Sequence, residues 1–175
     1  MRTMRLKGYS TAAVLSILLV CCVSGILISS LETALATPSS GFVATDTVRS
    51  VFDDIHVMTN ARSDRHQVQI RTKGTSDVYV VTNTVSPGGF SGWHTHPGPS
   101  IVSVKSGTAV IYSGDDPSCT PLVVNEGEGF IDPGGGHLHY VRNESGADLV
   151  LVAFQIVPFG AQRRIDAPAP GNCPF

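Results

Sequence analysis

Two glycine-rich passages, each closing on a His-x-His pair, constrain this 175-residue chain more than any other feature. The first is Gly88-Gly89-Phe90-Ser91-Gly92-Trp93-His94-Thr95-His96. The second is Gly127-Glu128-Gly129-Phe130-Ile131-Asp132-Pro133-Gly134-Gly135-Gly136-His137-Leu138-His139. Successive side chains of a strand point to opposite faces, so a strand through the first passage presents His94 and His96 together and turns Thr95 away. A metal ion needs imidazoles converging in this way. A lone histidine on a strand is ordinarily solvated or satisfied by a neighbour; two such pairs in one chain point to a metal site.

The rest of the chain reads as short strands broken by glycine and proline. Residues 66–71 alternate polar and apolar, and residues 77–85 continue with Val78, Val80, Val81 and Val85 after a turn at Lys73-Gly74-Thr75-Ser76. Residues 101–105 and 108–112 flank a turn at Ser106-Gly107. Residues 122–124 form a short strand, Phe130-Ile131 leads into the second histidine strand, and residues 149–157 close the sheet around the polar Gln155. Residues 37–47 have no usable period and read as linker. Residues 48–64 carry Val51, Phe52, Ile55, Val57 and Met58, enough to cover one barrel edge, with His56 at the surface. With no helix after the N-terminal segment, this pattern predicts an all-β sandwich or barrel. Gly134-Gly135-Gly136 precedes no helix and so lacks the usual phosphate cradle. Asp115-Asp116 lacks the oxygen-rich spacing of a calcium loop. Asn143-Glu144-Ser145 fits the glycosylation acceptor pattern.

At the N-terminus Arg2, Arg5 and Lys7 precede an apolar run over residues 12–31, and Ala34-Leu35-Ala36 follows. This is the layout of a secretory signal cleaved after Ala36; the alternative is an uncleaved membrane anchor. Cleavage removes three basic residues and Glu32, which leaves nine basic and thirteen acidic residues, a net charge of −4. Such a chain has no basic field for nucleic acid. Cys119 and Cys173 are the two cysteines that survive cleavage, and an even pair in an exported domain predicts a disulfide between them. The organisation expected is therefore signal or anchor over 1–36, linker and barrel edge over 37–64, barrel domain over 65–160, and a Pro-rich tail over 161–175 crossing the surface.

The two histidine passages, in this order, resemble the two signature motifs of the cupin family. The first motif runs from a glycine through five residues to His-x-His, then three or four residues to a glutamate and six to a glycine. Gly88, His94, His96 and Gly107 fit, and Ser100 holds the glutamate's place. The second runs glycine, five residues, proline, then glycine, two residues, histidine, three residues, asparagine. Gly127, Pro133, Gly136, His139 and Asn143 match with one extra residue between proline and glycine. That insertion makes His137 an alternate ligand, while the spacing to Asn143 selects His139. The resemblance covers roughly residues 78–157 and implies a single cupin jelly-roll barrel (a double-stranded β-helix), in a family where such chains are often homodimers.

The resemblance implies His94, His96 and His139 as a neutral three-histidine shell for a divalent metal. Loss of the hard oxygen ligand moves preference towards iron, zinc, copper or nickel. Three protein ligands leave positions open, as in catalytic sites. By ligand set the resemblance implies a likeness to three-histidine cupin dioxygenases, and with it an oxygen-dependent oxidoreductase acting on a small anionic molecule. The alternative is a cupin that binds metal or a small ligand without turnover. Glu126 and Glu128 lie in a turn, which leaves no general base beyond the histidines. Phe90, Trp93, Tyr112, Tyr140 and Gln155 are the candidates for lining the barrel.

Overall fold

The computed structural model describes residues 35–59 and 66–175. The basic residues and apolar run that suggest a signal or anchor lie outside the described residues, in which no helix is long and apolar enough to cross a membrane. Among the described residues every regular element is a strand: β1 (Ser40–Phe52), β2 (His56–Met58), β3 (Gln69–Arg71), β4 (Ser76–Phe90), β5 (His94–Thr95) and β6 (Ser100–Ser106), then β7 (Thr108–Ser113), β8 (Leu122–Asn125), β9 (Gly129–Asp132), β10 (His139–Arg142), β11 (Leu149–Pro158) and β12 (Ile165–Asp166). β2 and β3 make a separate hairpin. The others form one ten-stranded sheet in the order β12-β5-β10-β4-β11-β6-β9, with β1 on β4 and β7 joining β10 to β8. The sheet curls into a nearly closed jelly-roll barrel, the all-β fold that the strand pattern and the motifs predict.

The inward faces explain both the core and the location of the polar end. Period-two alternation turns Leu149, Leu151, Ala153, Gln155 and Val157 of β11 inward, along with Ser100, Val102 and Val104 of β6. The register aligns Leu151 with Val104, Ala153 with Val102, and Gln155 with Ser100. On the next strand Phe130 lies opposite Val102 and Asp132 opposite Ser100. Adjacent strands therefore change from apolar to polar at the same level. Below it, Val85, Val104, Ala109, Ile111, Val124, Val141, Leu149 and Leu151 pack into one cluster, in which full burial of a leucine such as Leu149 contributes about 1.5–3 kcal/mol. Above it the interior is polar.

A second cluster lies apart from that interior. Trp93, Val110, Tyr112 and Tyr140 pack with Phe90, Leu138, Cys119 and Cys173. Phe175 sits 5.0 Å, centroid to centroid, from both Tyr112 and Tyr140. Cys119 and Cys173 are joined, with Cα atoms 5.3 Å apart. Phe90, Trp93, Tyr112 and Tyr140 are thus core residues of this outer cluster, and only Gln155 of the five barrel-lining candidates faces the polar interior.

Three expectations need correction. Residues 37–47, read as linker, enter β1 at Ser40, which pairs along β4 from Ser40↔Phe90 to Phe52↔Ser76. Nearly every β1 side chain is exposed, so main-chain pairing holds this strand and no apolar alternation marks it. The tail over 161–175 does not simply cross the surface: β12 pairs with the histidine strand β5 through Ile165↔Thr95 and Asp166↔His94. The second histidine passage is not one strand either, because it leaves β9 at Asp132 and turns before β10 begins at His139.

Candidate metal centre

His94 and His139 are direct cross-strand partners on β5 and β10, and side chains so opposed share a face. His96, two residues beyond His94, returns to that face. The three rings lie with centroids 4.1 Å (His94–His139), 5.1 Å (His94–His96) and 5.3 Å (His96–His139) apart. Each offers a ligand atom within 4.8 Å of the others, and all three side chains are buried. Two glycines permit the close approach of the loops that carry them. A Cβ at Gly134 would lie 2.2 Å from the Gly98 carbonyl oxygen, and one at Gly98 would lie 2.0 Å from that of Ile156. The Gly135 N–H donates to the His96 carbonyl at 2.9 Å, tying the loops together.

Hydrogen bonds set the ring tautomers. His94 Nδ1 donates to the Gly92 carbonyl at 3.0 Å and His96 Nδ1 to the Arg163 carbonyl at 2.6 Å. A carbonyl only accepts, so each bond puts the proton on Nδ1 and leaves Nε2 as a lone pair for the cavity. Burial is the largest influence on protonation. It drives His94 well below the ordinary histidine value, lowers His96, and lowers His139 to about 4, against the opposing pull of the Asp132 charge on His96 and His139. All three are neutral at pH 7, the form that ligates metal. His139 Nδ1 and Asp132 Oδ2 are buried with no hydrogen-bond partner. Converging neutral imidazoles beside orphaned polar atoms fit a divalent transition metal.

His137 lies elsewhere. Its ring is 6.1 Å from that of His139, and its Nδ1 donates to Asp132 Oδ1 at 2.9 Å while Nε2 meets Ser113 Oγ at 2.8 Å. It groups with Asp132 and His139 rather than with His94 and His96. The turn before β10 explains this, since alternation holds only within a strand. Ser100 is buried and accepts from Gln155 Nε2 at 2.8 Å.

Three residues of the site escape the sequence reading. Asp132, 3 % exposed, lines the cavity with the histidines. Its inward parity with Phe130 was the available signal, masked because the motif uses this stretch only as spacing. Arg163 and Arg164 also line the cavity; they sit in the tail, where no periodicity points inward. Arg163 Nη1 donates to Gln155 Oε1 at 3.1 Å. Arg164 bonds Asp166 at 2.7 Å and the Ser91 carbonyl. Two guanidiniums and one carboxylate thus surround the neutral imidazoles. The cavity's volume is about 50 Å³, room for a few water-sized groups, and it is partly open to the surface. Asn143, by contrast, is closed to glycosylation: it is 1 % exposed, and its amide donates to the Val85 and Ala147 carbonyls.

Residues 81–155 match the family described as the cupin domain. No curated protein matches the chain. Similar solved structures include a conserved protein of unknown function from Streptococcus pyogenes (21 % identity, TM-score 0.39), of which the chain spans 65 % with 46 % of its own length. An uncharacterized conserved protein with a double-stranded β-helix domain from Klebsiella pneumoniae is 21 % identical, TM-score 0.43, over 66 % of this chain and 84 % of that one. An oxalate oxidase in complex with the substrate analogue glycolate is 25 % identical, TM-score 0.40, over 45 % of this chain and 41 % of that one. The chain thus spans less than two thirds of the first and third of these proteins.

Proposed function

We propose, for a chain that belongs to the cupin family through residues 81–155, an exported metal-dependent protein that oxidises a small anionic substrate with dioxygen. The observation that carries this reading is the convergence of His94, His96 and His139 in a cavity also lined by Arg163 and Arg164. The three histidines would hold iron, zinc, copper or nickel. The ion, when bound, supplies Lewis-acid and, for iron or copper, redox chemistry that the side chains lack. Arg163 and Arg164 attract and orient the anion. A short carboxylate suits this small, partly open cavity. Val102, Phe130 and Leu151 exclude water from the inner wall.

The Cys119–Cys173 bond supports an oxidising, extracytoplasmic location after cleavage at Ala36. A second copy of the chain is the proposed protein partner. Val48, Val80, Phe154, Ile101 and Ile131 are exposed and in register across β1, β4, β11, β6 and β9. Such a stripe suits an interface between copies, and sedimentation at equilibrium reads it directly.

The central test is metal analysis of the purified chain, followed by oxygen consumption with small carboxylates and diketones. Stoichiometric metal with substrate-dependent oxygen uptake is the expected result. Metal without turnover leaves a binding protein, and a chain that takes up no transition metal overturns the reading.

A further inference from the structure

The first motif lacks its glutamate, yet the centre does not lack a carboxylate. Ser100 stands at the glutamate's position on β6, and its cross-strand neighbours are Gln155 on β11 and Asp132 on β9. Directly opposed side chains share a face, and all three are buried. Gln155 Nε2 donates to Ser100 Oγ at 2.8 Å. Asp132 therefore enters the same interior one strand away from where the motif would place an acid. Its Oδ1 accepts from His137 Nδ1 at 2.9 Å and lies 3.5 Å from His139 Nδ1. His139 Nδ1 and Asp132 Oδ2 are both buried and unpartnered. His94 and His96 each give Nδ1 to a carbonyl, so His139 alone faces an acid through that atom.

We propose that Asp132 is the positioning carboxylate of the metal centre, supplied across strands in place of the glutamate that Ser100 displaces. It receives the His139 Nδ1 proton, which directs Nε2 towards the ion, and its charge offsets a dication that three neutral imidazoles leave uncompensated. His137, held by Ser113, keeps the carboxylate in place. The inference rests on His94, His96 and His139 as the ligands.

Zinc titration of the EDTA-stripped full chain by calorimetry tests it, with D132N as the main variant. The wild type is expected to bind one zinc, and D132N the same one zinc with Kd raised about 10–100-fold. Adding S100E to D132N returns a carboxylate to the shared face and should recover affinity, which a merely structural role of Asp132 does not predict. In nitrogen-15 spectra of zinc-loaded protein, the His139 Nδ1 proton should be protected from exchange in the wild type and unprotected in D132N. A D132N Kd within twofold of wild type overturns the proposal. Should D132N fail to fold, H137Q is read instead: it frees the carboxylate from its clamp and should raise Kd in the same direction, an unchanged value counting against the proposal. Failure of the ligand set looks different. There, H94A/H96A binds zinc as tightly as wild type, or the folded wild type binds none.

Discussion

Acid should destabilise the metal-free protein through His139 by an amount that follows from its burial. An ordinary histidine titrates near 6.5, and His139 in the fold titrates at about 4, mainly because burial disfavours the imidazolium. Between these values the unfolded chain binds the proton and the folded chain does not. Stability is therefore fully present above about 6.5 and falls as pH drops towards 4, by at most about 1.4 kcal/mol per pH unit and about 3 kcal/mol in all. The perturbation is H139Q, which fits a similar space and has no proton to gain. Urea unfolding of EDTA-treated wild type and H139Q, followed by circular dichroism at intervals from pH 7 to pH 4, gives two stability curves. Carboxylates titrate in both proteins, so the difference between the curves isolates the histidine. Wild type should lose about 3 kcal/mol more than H139Q across the window. Parallel curves would refute the reasoning, because they would mean that His139 is as accessible to protons in the fold as in the unfolded chain.

Replacing His139 by Ala should abolish stoichiometric metal, whereas H137A should leave most of it, as read by metal content after dialysis; the reverse would transfer the ligand role to His137. Opening the bridge with C119S/C173S releases a 54-residue separation, for which the chain-entropy relation gives a loss of about 4 kcal/mol in urea unfolding. Leu149→Ala leaves a hole in the fully buried floor of the barrel and should cost about 2–5 kcal/mol by the same assay. R164Q should weaken binding of a short dicarboxylate about tenfold or more in calorimetry, the loss expected for one charge-assisted hydrogen bond.

The sequence disclosed what repetition and spacing can encode. β4, β6 and β11 alternate because one face of each is buried, and that period is visible without coordinates. His94 and His96 were legible for the same reason, and His139 through its distance from Asn143. β1 was not, since its outward side chains carry no pattern and its partner is the main chain of β4. Asp132 was hidden for a different reason. Its role depends on register, on which residue of β9 faces Ser100, and register is a relation between strands that no single stretch contains. Arg163 and Arg164 enter the site through long-range pairing of β12 with β5, which lies equally beyond local reading.

That last pairing also bears on the order of events during folding. The barrel's inward rows end with β11 at Pro158, but the carbonyl that receives the His96 proton belongs to Arg163. Thr37 joins the same clasp: its N–H donates to the Ala167 carbonyl at 2.9 Å, and its hydroxyl receives the Trp93 N–H at 2.6 Å. Residues near the start, middle and end of the described chain thus close on one another beside the histidines. Contacts so distant in sequence form late. A folding chain can therefore assemble its hydrophobic floor before residues 163–167 dock, with the imidazoles present but His96 lacking the acceptor that orients it. In refolding of the metal-free chain with zinc present, resistance to proteolysis should therefore appear before stoichiometric zinc is retained.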